Sequence, residues 1–445
     1  MNSILDELSK EEVWHEYLEF KKKQASISKY EIKKLEAFIE DKKYMEIVEK
    51  IINEEYTFSI PEKHLINKVN KSKKRVVYSF NEFENYVLKV VTYLFSKRYD
   101  ELYPDNCYSF RRNSCVKNAI NKIVHTKDLN TLYGYKADIS NYFNSINVDI
   151  MLNKLKNFIS NDKKLYSLIE GILKDKRVSF ENNIIEEEKG IMAGVPISSF
   201  LANIYLMDLD KYFESNNVLY FRYSDDIIFF TSENEIELYI QILNNKIKEN
   251  KLVLNEDKII RITPGNRWDF LGFSFENRRI DISDVAKKKI KGKIKRACRK
   301  LRRWMIRKDA SSDRAISAVI RKFNKKFYMI DNTTELTWCL WYFPVINTDE
   351  GLKEIDEYMQ QELRFISTGK HSKKNYNVKY EKLKQLGYRP LVSEYYKFRN
   401  ELINKRKIKK WGRINYLTFY AFYVLFLILL ISCFSLLLVI HNVQL

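Results

Sequence analysis

Two runs of aromatic and β-branched residues, Phe221-Arg222-Tyr223 and Ile227-Ile228-Phe229-Phe230, enclose the acidic pair Asp225-Asp226, and no other stretch restricts the fold of the chain as much. Such runs favour strands, so the segment predicts a β-hairpin with Asp225 and Asp226 at its tip. Neighbouring carboxylates repel each other and are costly between apolar strands unless solvent or a cation compensates them. Taken alone, the pair suits an ordinary polar turn as well as it suits half of a divalent-metal site.

Upstream, the segment Tyr133–Ile146 reads as a strand running into Asp138 and a helical turn behind it, capped by Ser140 or Asn141. Together, Asp138, Asp225 and Asp226 would make a three-carboxylate cluster able to hold two Mg²⁺ ions, with Mn²⁺ as an alternative. Between them, Gly190–Leu206 is a small-residue loop opening an apolar helix, which Ser198 or Ser199 can cap. A strand is expected over 76–80, helices over 83–95 and near 235–250, and a short hairpin over 268–275. Residues 1 to about 60 carry apolar residues at helical spacing. Basic clusters at Lys71–Arg75 and Arg111-Arg112 lie ahead of the acidic centre, as a bound triphosphate would require.

Charge narrows the partner class. Lys and Arg outnumber Asp and Glu by 78 to 58, a net charge of +20, which favours a polyanion such as nucleic acid. Thirteen of those cations fall within residues 287–308 on a helical period, suited to gripping a duplex through its phosphates. Five cysteines without a C-x-x-C pair argue against a zinc module or a disulfide framework. From Tyr416 to Ile440 there are 25 residues without a charge, about 37 Å as a helix, and a basic stretch precedes them. By the positive-inside rule this predicts a single-pass, membrane-anchored protein in contact with the lipid bilayer through 416–440, its catalytic body in the cytoplasm.

In order and spacing these segments resemble the fingers and palm of bacterial reverse transcriptases of the group II intron and retron lineage, most of all the phage-defence-associated ones. The similarity runs from about Lys71 to Phe275. It implies an α+β, right-hand polymerase with fingers, an antiparallel palm sheet and a helical thumb, followed by the transmembrane helix. The expected domains are a helical extension (1–65), fingers and palm (66–280), a basic thumb and extension (281–400), a basic linker (401–415) and the span (416–440).

The resemblance also implies roles. Asp138 and Asp225 would hold both catalytic metals with the Ile139 carbonyl assisting and Asp226 in support. Arg75 and Arg111 would hold the incoming triphosphate. Phe143 would be the aromatic gate against a ribose 2′-hydroxyl, Lys258 the lysine that assists the leaving pyrophosphate, and Leu271-Gly272-Phe273 the primer grip. Two departures stand out: Ala193 occupies the place usually held by Gln beside the nucleotide, and Asn118-Ala119-Ile120-Asn121 is followed by Lys122 where a retron signature has His. The implied activity is RNA-directed DNA synthesis from dNTPs, in antiviral defence, on an RNA template that could be a dedicated non-coding RNA. Template-independent or protein-primed synthesis and a membrane-anchored nucleic-acid sensor are the alternatives, and self-association is left open.

Overall fold

The computed structural model describes residues 3–24, 27–67, 74–159, 162–328, 337–372, 375 and 377–401. They fall into two compact units. The first comprises residues up to 286 with 328–341 and 345–348, and the second 287–327, 342–344 and 349 onward.

Within the first unit the strands β1 (Glu62–Asn67), β2 (Lys74–Ser79), β3 (Tyr133–Asp138), β4 (Arg177–Phe180), β5 (Asn183–Glu186), β6 (Leu219–Tyr223), β7 (Asp226–Thr231), β8 (Ile260–Ile262), β9 (Trp268–Phe270), β10 (Phe273–Glu276) and β11 (Arg279–Ile282) form three sheets. The central one has the order β6-β7-β3-β8 and is antiparallel throughout. Ile227 to Thr231 of β7 are buried without a break, which is why the strand is apolar at consecutive positions from Ile227 to Phe230 and not at alternate ones. On one face, Phe213 of the helix Met207–Ser215 packs on Tyr220 and Phe229, with ring centroids 4.5 and 5.2 Å away. Phe230 turns to the other face and meets Trp268 at 5.0 Å. Gly134 makes room for it, since a Cβ there would lie 2.7 Å from the Phe230 ring.

The second sheet, β2-β1-β4-β5, joins one parallel pair (β1 with β4) to two antiparallel ones, and the third is the meander β11-β10-β9. Helices Glu11–Lys22, Lys29–Glu40 and Met45–Ile52 confirm the helical period of the first sixty residues. They share one hydrophobic cluster with the helix Glu82–Tyr99 and with residues around the central sheet, so they are part of this unit's core. Trp14 stacks on Tyr44 at 4.3 Å, and Ser3 Oγ donates to the buried Asp162 carboxylate at 2.6 Å. One expected cap fails. The helix Ser198–Tyr205 has no side-chain N-cap; Ser198 instead donates its hydroxyl to the carbonyls of Ile191 and Met192, bracing the loop ahead of the helix.

In the second unit, Ile290, Ile294, Ala297 and Cys298 form the buried stripe of the basic helix Asp284–Arg307, spaced as one face of an α-helix. They leave the cations to the remaining faces. The helices Ser312–Tyr328 and Glu350–Thr368 contribute Ile316, Ile320, Phe323, Leu352, Ile355 and Leu363. Asp356 is buried and accepts the Tyr388 hydroxyl at 2.9 Å and the Leu391 and Val392 N–H groups at 2.8 and 3.0 Å, capping the helix over 391–401.

The membrane-anchored localisation expected from the sequence is corrected here: among the described residues no helix is long and apolar enough to cross a membrane. The stretch 416–440, on which that expectation rested, lies outside the described residues.

Candidate active site

The hairpin and the strand ending in Asp138 come together in the central sheet. Register places Asp138 of β3 directly opposite Asp226 of β7, and the Ile139 N–H donates to the Asp225 carbonyl at 3.1 Å. Directly opposed residues project from the same face of a sheet, so two like charges are paired there, an arrangement unfavourable without a cation. Tyr223 pairs with Asp226, leaving Ser224 and Asp225 as a two-residue turn. Ser224 adopts φ +61°, a conformation that L-residues other than Asn or Asp seldom take, so the tip is strained where it presents the first carboxylate.

Electrostatics follow from that packing. Burial raises the pKa of Asp225, and the charge of Asp138 adds to the rise. Asp226 is pushed up to about 6, chiefly by burial, with Lys136 opposing and the two other aspartates reinforcing it. Asp138 is itself only 5 % exposed. Its carboxylate meets Lys258 Nζ at 2.7 Å and its carbonyl accepts the Asn255 N–H at 2.8 Å, which ties the turn Glu256–Lys258 to the end of β3. Among the described residues no three His, Cys, Asp or Glu side chains stand together as a finished metal cage. The donor chemistry nevertheless fits a hard divalent cation: oxygen donors, two of them carboxylates whose ionised form is held at a cost by burial.

Phe143 lies in the helical turn Tyr142–Ser145 that follows Asp138, half-buried, and its ring meets Phe110 edge-on at 6.0 Å. Ala193 is joined to the second sheet: its carbonyl accepts the Tyr78 N–H at 2.8 Å, while its own N–H donates to Asn144 Oδ1 at 2.9 Å. Asn144 donates in turn to the Val76 carbonyl at 3.2 Å, so this side chain links the turn after Asp138, the glycine loop and β2. Gly194 is required at its position, since with φ +104° a Cβ would come 2.8 Å from the Tyr78 oxygen. Arg75 is exposed on β2. Leu271 and Gly272, at φ +48° and +93°, make the turn between β9 and β10, and Phe273 packs on Trp341 at 5.7 Å.

Arg111 does not present its charge as expected. Its guanidinium donates to the carbonyls of Asp100 at 2.9 Å and Pro104 at 2.7 Å, beside the buried Asp100 carboxylate, and its side chain is 6 % exposed. This arginine staples a loop, whereas the neighbouring Arg112 extends over Tyr93.

Two features escape a reading of the sequence. Arg222, fully buried, donates Nε to Asp210 Oδ1 at 2.7 Å and Nη1 to the Ser224 carbonyl at 3.3 Å, so a buried ion pair supports the strained turn from within. Tyr220 donates to the same Asp210 oxygen at 3.0 Å, and Arg222 Nη2 approaches Cys107 Sγ at 3.2 Å. The available signal was an arginine inside an otherwise apolar strand, which demands a buried acid. Phe110, 44 % exposed at φ +54°, stands between Phe143 and Tyr223 and carried no such signal.

Residues 60–275 match the family described as reverse transcriptase (RNA-dependent DNA polymerase). The chain is similar to that family over these residues, just under half of its length. Asp138, Asp225, Asp226, Lys258 and the Leu271–Phe273 turn all lie inside that stretch. The retron Ec83 reverse transcriptase of Escherichia coli is 24% identical over 161 residues, covering 33% of this chain and 49% of that protein, so the chain spans about half the length of the curated relative it matches. Similar solved structures include apo telomerase from Candida tropicalis, with TM-score 0.45 and 12% identity over 74% of this chain and 60% of the other. Telomerase from Candida albicans with a fragment of telomeric RNA gives 0.41 and 13% over 78% and 66%.

Proposed function

We propose that residues 60–275 are a reverse transcriptase domain and that it is an active RNA-directed DNA polymerase of the right-hand type. The central sheet is its palm, the β2-β1-β4-β5 sheet belongs to its fingers, and the helices of the second unit are its thumb. The observation that supports this reading is the register setting Asp138 opposite Asp226, with Asp225 in the strained turn beside them.

Asp138, Asp225 and the Ile139 carbonyl, with Asp226 in support, would hold two divalent metal ions, Mg²⁺ or Mn²⁺. Bound there, such ions lower the pKa of a primer 3′-hydroxyl and neutralise charge on a departing pyrophosphate. The chain's own residues do the rest. Arg75 on β2 contributes charge for the triphosphate, Phe143 excludes a 2′-hydroxyl, Lys258 supplies a proton to the leaving group, and Leu271–Phe273 bear on the primer. The template is RNA and the substrates are dNTPs. The role in antiviral defence rests on the resemblance of the motifs to phage-defence reverse transcriptases.

Asp225→Asn combined with Asp226→Asn should abolish dNTP incorporation on an RNA template with a DNA primer while leaving RNA affinity within about threefold. Incorporation that survives in the double variant sinks the site assignment. Product whose sequence ignores the supplied RNA sinks templated synthesis.

A further inference from the structure

Phe110 adopts a conformation that none of the roles above explains. Its φ of +54° lies in the left-handed region, where a bulky L-residue is an outlier, and its ring is exposed. Such an outlier persists only where the surrounding structure over-determines it. Here the chain is pinned on both sides. Ahead of Phe110, the buried Ser109 donates its hydroxyl to Asn203 Oδ1 at 2.9 Å, and its carbonyl accepts Asn203 Nδ2 at 2.7 Å. Behind it, Arg111 donates to the carbonyls of Asp100 and Pro104, and the Arg112 N–H donates to Asp100 Oδ1 at 2.8 Å. These bonds fix the backbone that enters and leaves Phe110.

The ring so placed meets two others. Phe143 lies edge-on to it at 6.0 Å, with an interplanar angle of 89°, and Tyr223 lies at 6.4 Å. An edge-to-face pair is directional, so one ring restrains the tilt of the other. Phe143 sits in the turn after Asp138 and Tyr223 ends β6 ahead of the acidic turn, so Phe110 joins, from a third segment, the two elements that carry the carboxylates. The backbone of Phe143 is held independently, its carbonyl accepting the Ile191 N–H at 2.9 Å. A held backbone still leaves the side-chain torsions free. Among the described residues, the aromatic ring that meets Phe143 from outside its own turn is that of Phe110.

We propose that Phe110 is a positioning residue for sugar selection, its ring holding Phe143 in the orientation that meets the nucleotide sugar. This rests on the reading of Phe143 as the gate and adds what sets the angle of that gate. Exclusion of a single hydroxyl works by contact, so freeing the Phe143 ring to tilt admits a ribonucleotide without removing a group that binds triphosphate or metal.

Phe110→Asn removes the ring and keeps a residue that tolerates positive φ, so the full-length variant should melt with wild type. Two readouts then test the contact and its consequence. With para-fluorophenylalanine at position 143, the fluorine resonance of the nucleotide-free protein should move towards that of the free amino acid in Phe110→Asn and stay in place in Phe110→Tyr, which keeps the ring. In single-nucleotide incorporation, Phe110→Asn should raise kcat/KM for rNTP about tenfold, which damage to the fold cannot do. Added to Phe143→Val, the same change should alter rNTP use by less than about twofold, because the two act through one ring. An unmoved fluorine resonance, unchanged rNTP use in Phe110→Asn, or an rNTP gain as large in the Phe143→Val background as in wild type would overturn the proposal. A resonance that responds in a protein incorporating no dNTP supports the positioning contact and refutes the polymerase reading instead.

Discussion

Replacing Asp226 with Asn is expected to stabilise the metal-free protein while removing polymerisation. The Asp226 carboxyl is raised from 3.8 to about 6, mainly by burial at the β7 end of the hairpin. At 1.36 kcal/mol for each unit, the ionised form costs the folded state on the order of 3 kcal/mol at neutral pH, an upper value because the group keeps some contact with water. The sign follows from the direction of the shift. With a folded-state pKa above the unfolded one, the favourable contribution is complete below about 4 and is lost as pH rises through about 6. Asn is neutral throughout, so the advantage of Asp226→Asn should be absent near pH 4, grow between 4 and 6, and reach about 1–3 kcal/mol at pH 7.5.

Native-state hydrogen exchange of peptides covering residues 221–231, in EDTA at pH 4.5 and 7.5, reads this locally. Adding Mg²⁺ should then protect the wild-type hairpin and leave the variant nearly unchanged, since a ligand stabilises only the state it binds. An Asn variant less protected than wild type in EDTA at pH 7.5, or one with the same advantage at both pH values, would falsify the claim that charge burial dominates at this carboxylate.

Arg222→Met should cost about 3–5 kcal/mol by leaving Asp210 charged and alone, and Arg222→Met with Asp210→Leu should recover much of that in thermal unfolding. Phe143→Val is expected to lower discrimination between dNTP and rNTP at least tenfold in single-nucleotide incorporation, with dNTP turnover within a few-fold. Arg111→Ala should lower the melting temperature while leaving the KM for dNTP within about threefold; a tenfold rise in KM at unchanged melting temperature would return Arg111 to the triphosphate.

The elements that carry the candidate site were legible because they are local. A strand ending in Asp138 and a hairpin carrying Asp225-Asp226 each follow from a few neighbouring residues, and antiparallel pairing brings their ends together. Arg111 was misread for the opposite reason. Its charge is visible in the sequence, but its orientation depends on the carbonyls of Asp100 and Pro104, eleven and seven residues back in a segment with no periodicity. Ser198 shows the same limit: a serine ahead of a helix is a good cap by rule, and only the loop folding over it makes its hydroxyl a brace. The N-terminal helices were recognised as helices, but their place in the shared core depends on pairings such as Ser3 with Asp162, which no local pattern records.

The two charged layers of the hairpin explain one another. Above, Asp225 and Asp226 are ionised against burial, and the cations Lys258 and Lys136 relieve them in part. Below, Arg222 and Asp210 are buried too, yet they neutralise each other within the chain, and Arg222 also bonds the carbonyl of Ser224 in the turn that carries the acids. A strained turn bearing like charges relaxes unless the structure around it is over-determined, and a self-satisfied ion pair provides that without drawing on the ligand. The strand therefore needs an arginine two residues before its turn for a structural reason, and the proposed function gives the two aspartates a chemical one. Substitutions in the lower layer should accordingly change folding first, and those in the upper layer metal binding first.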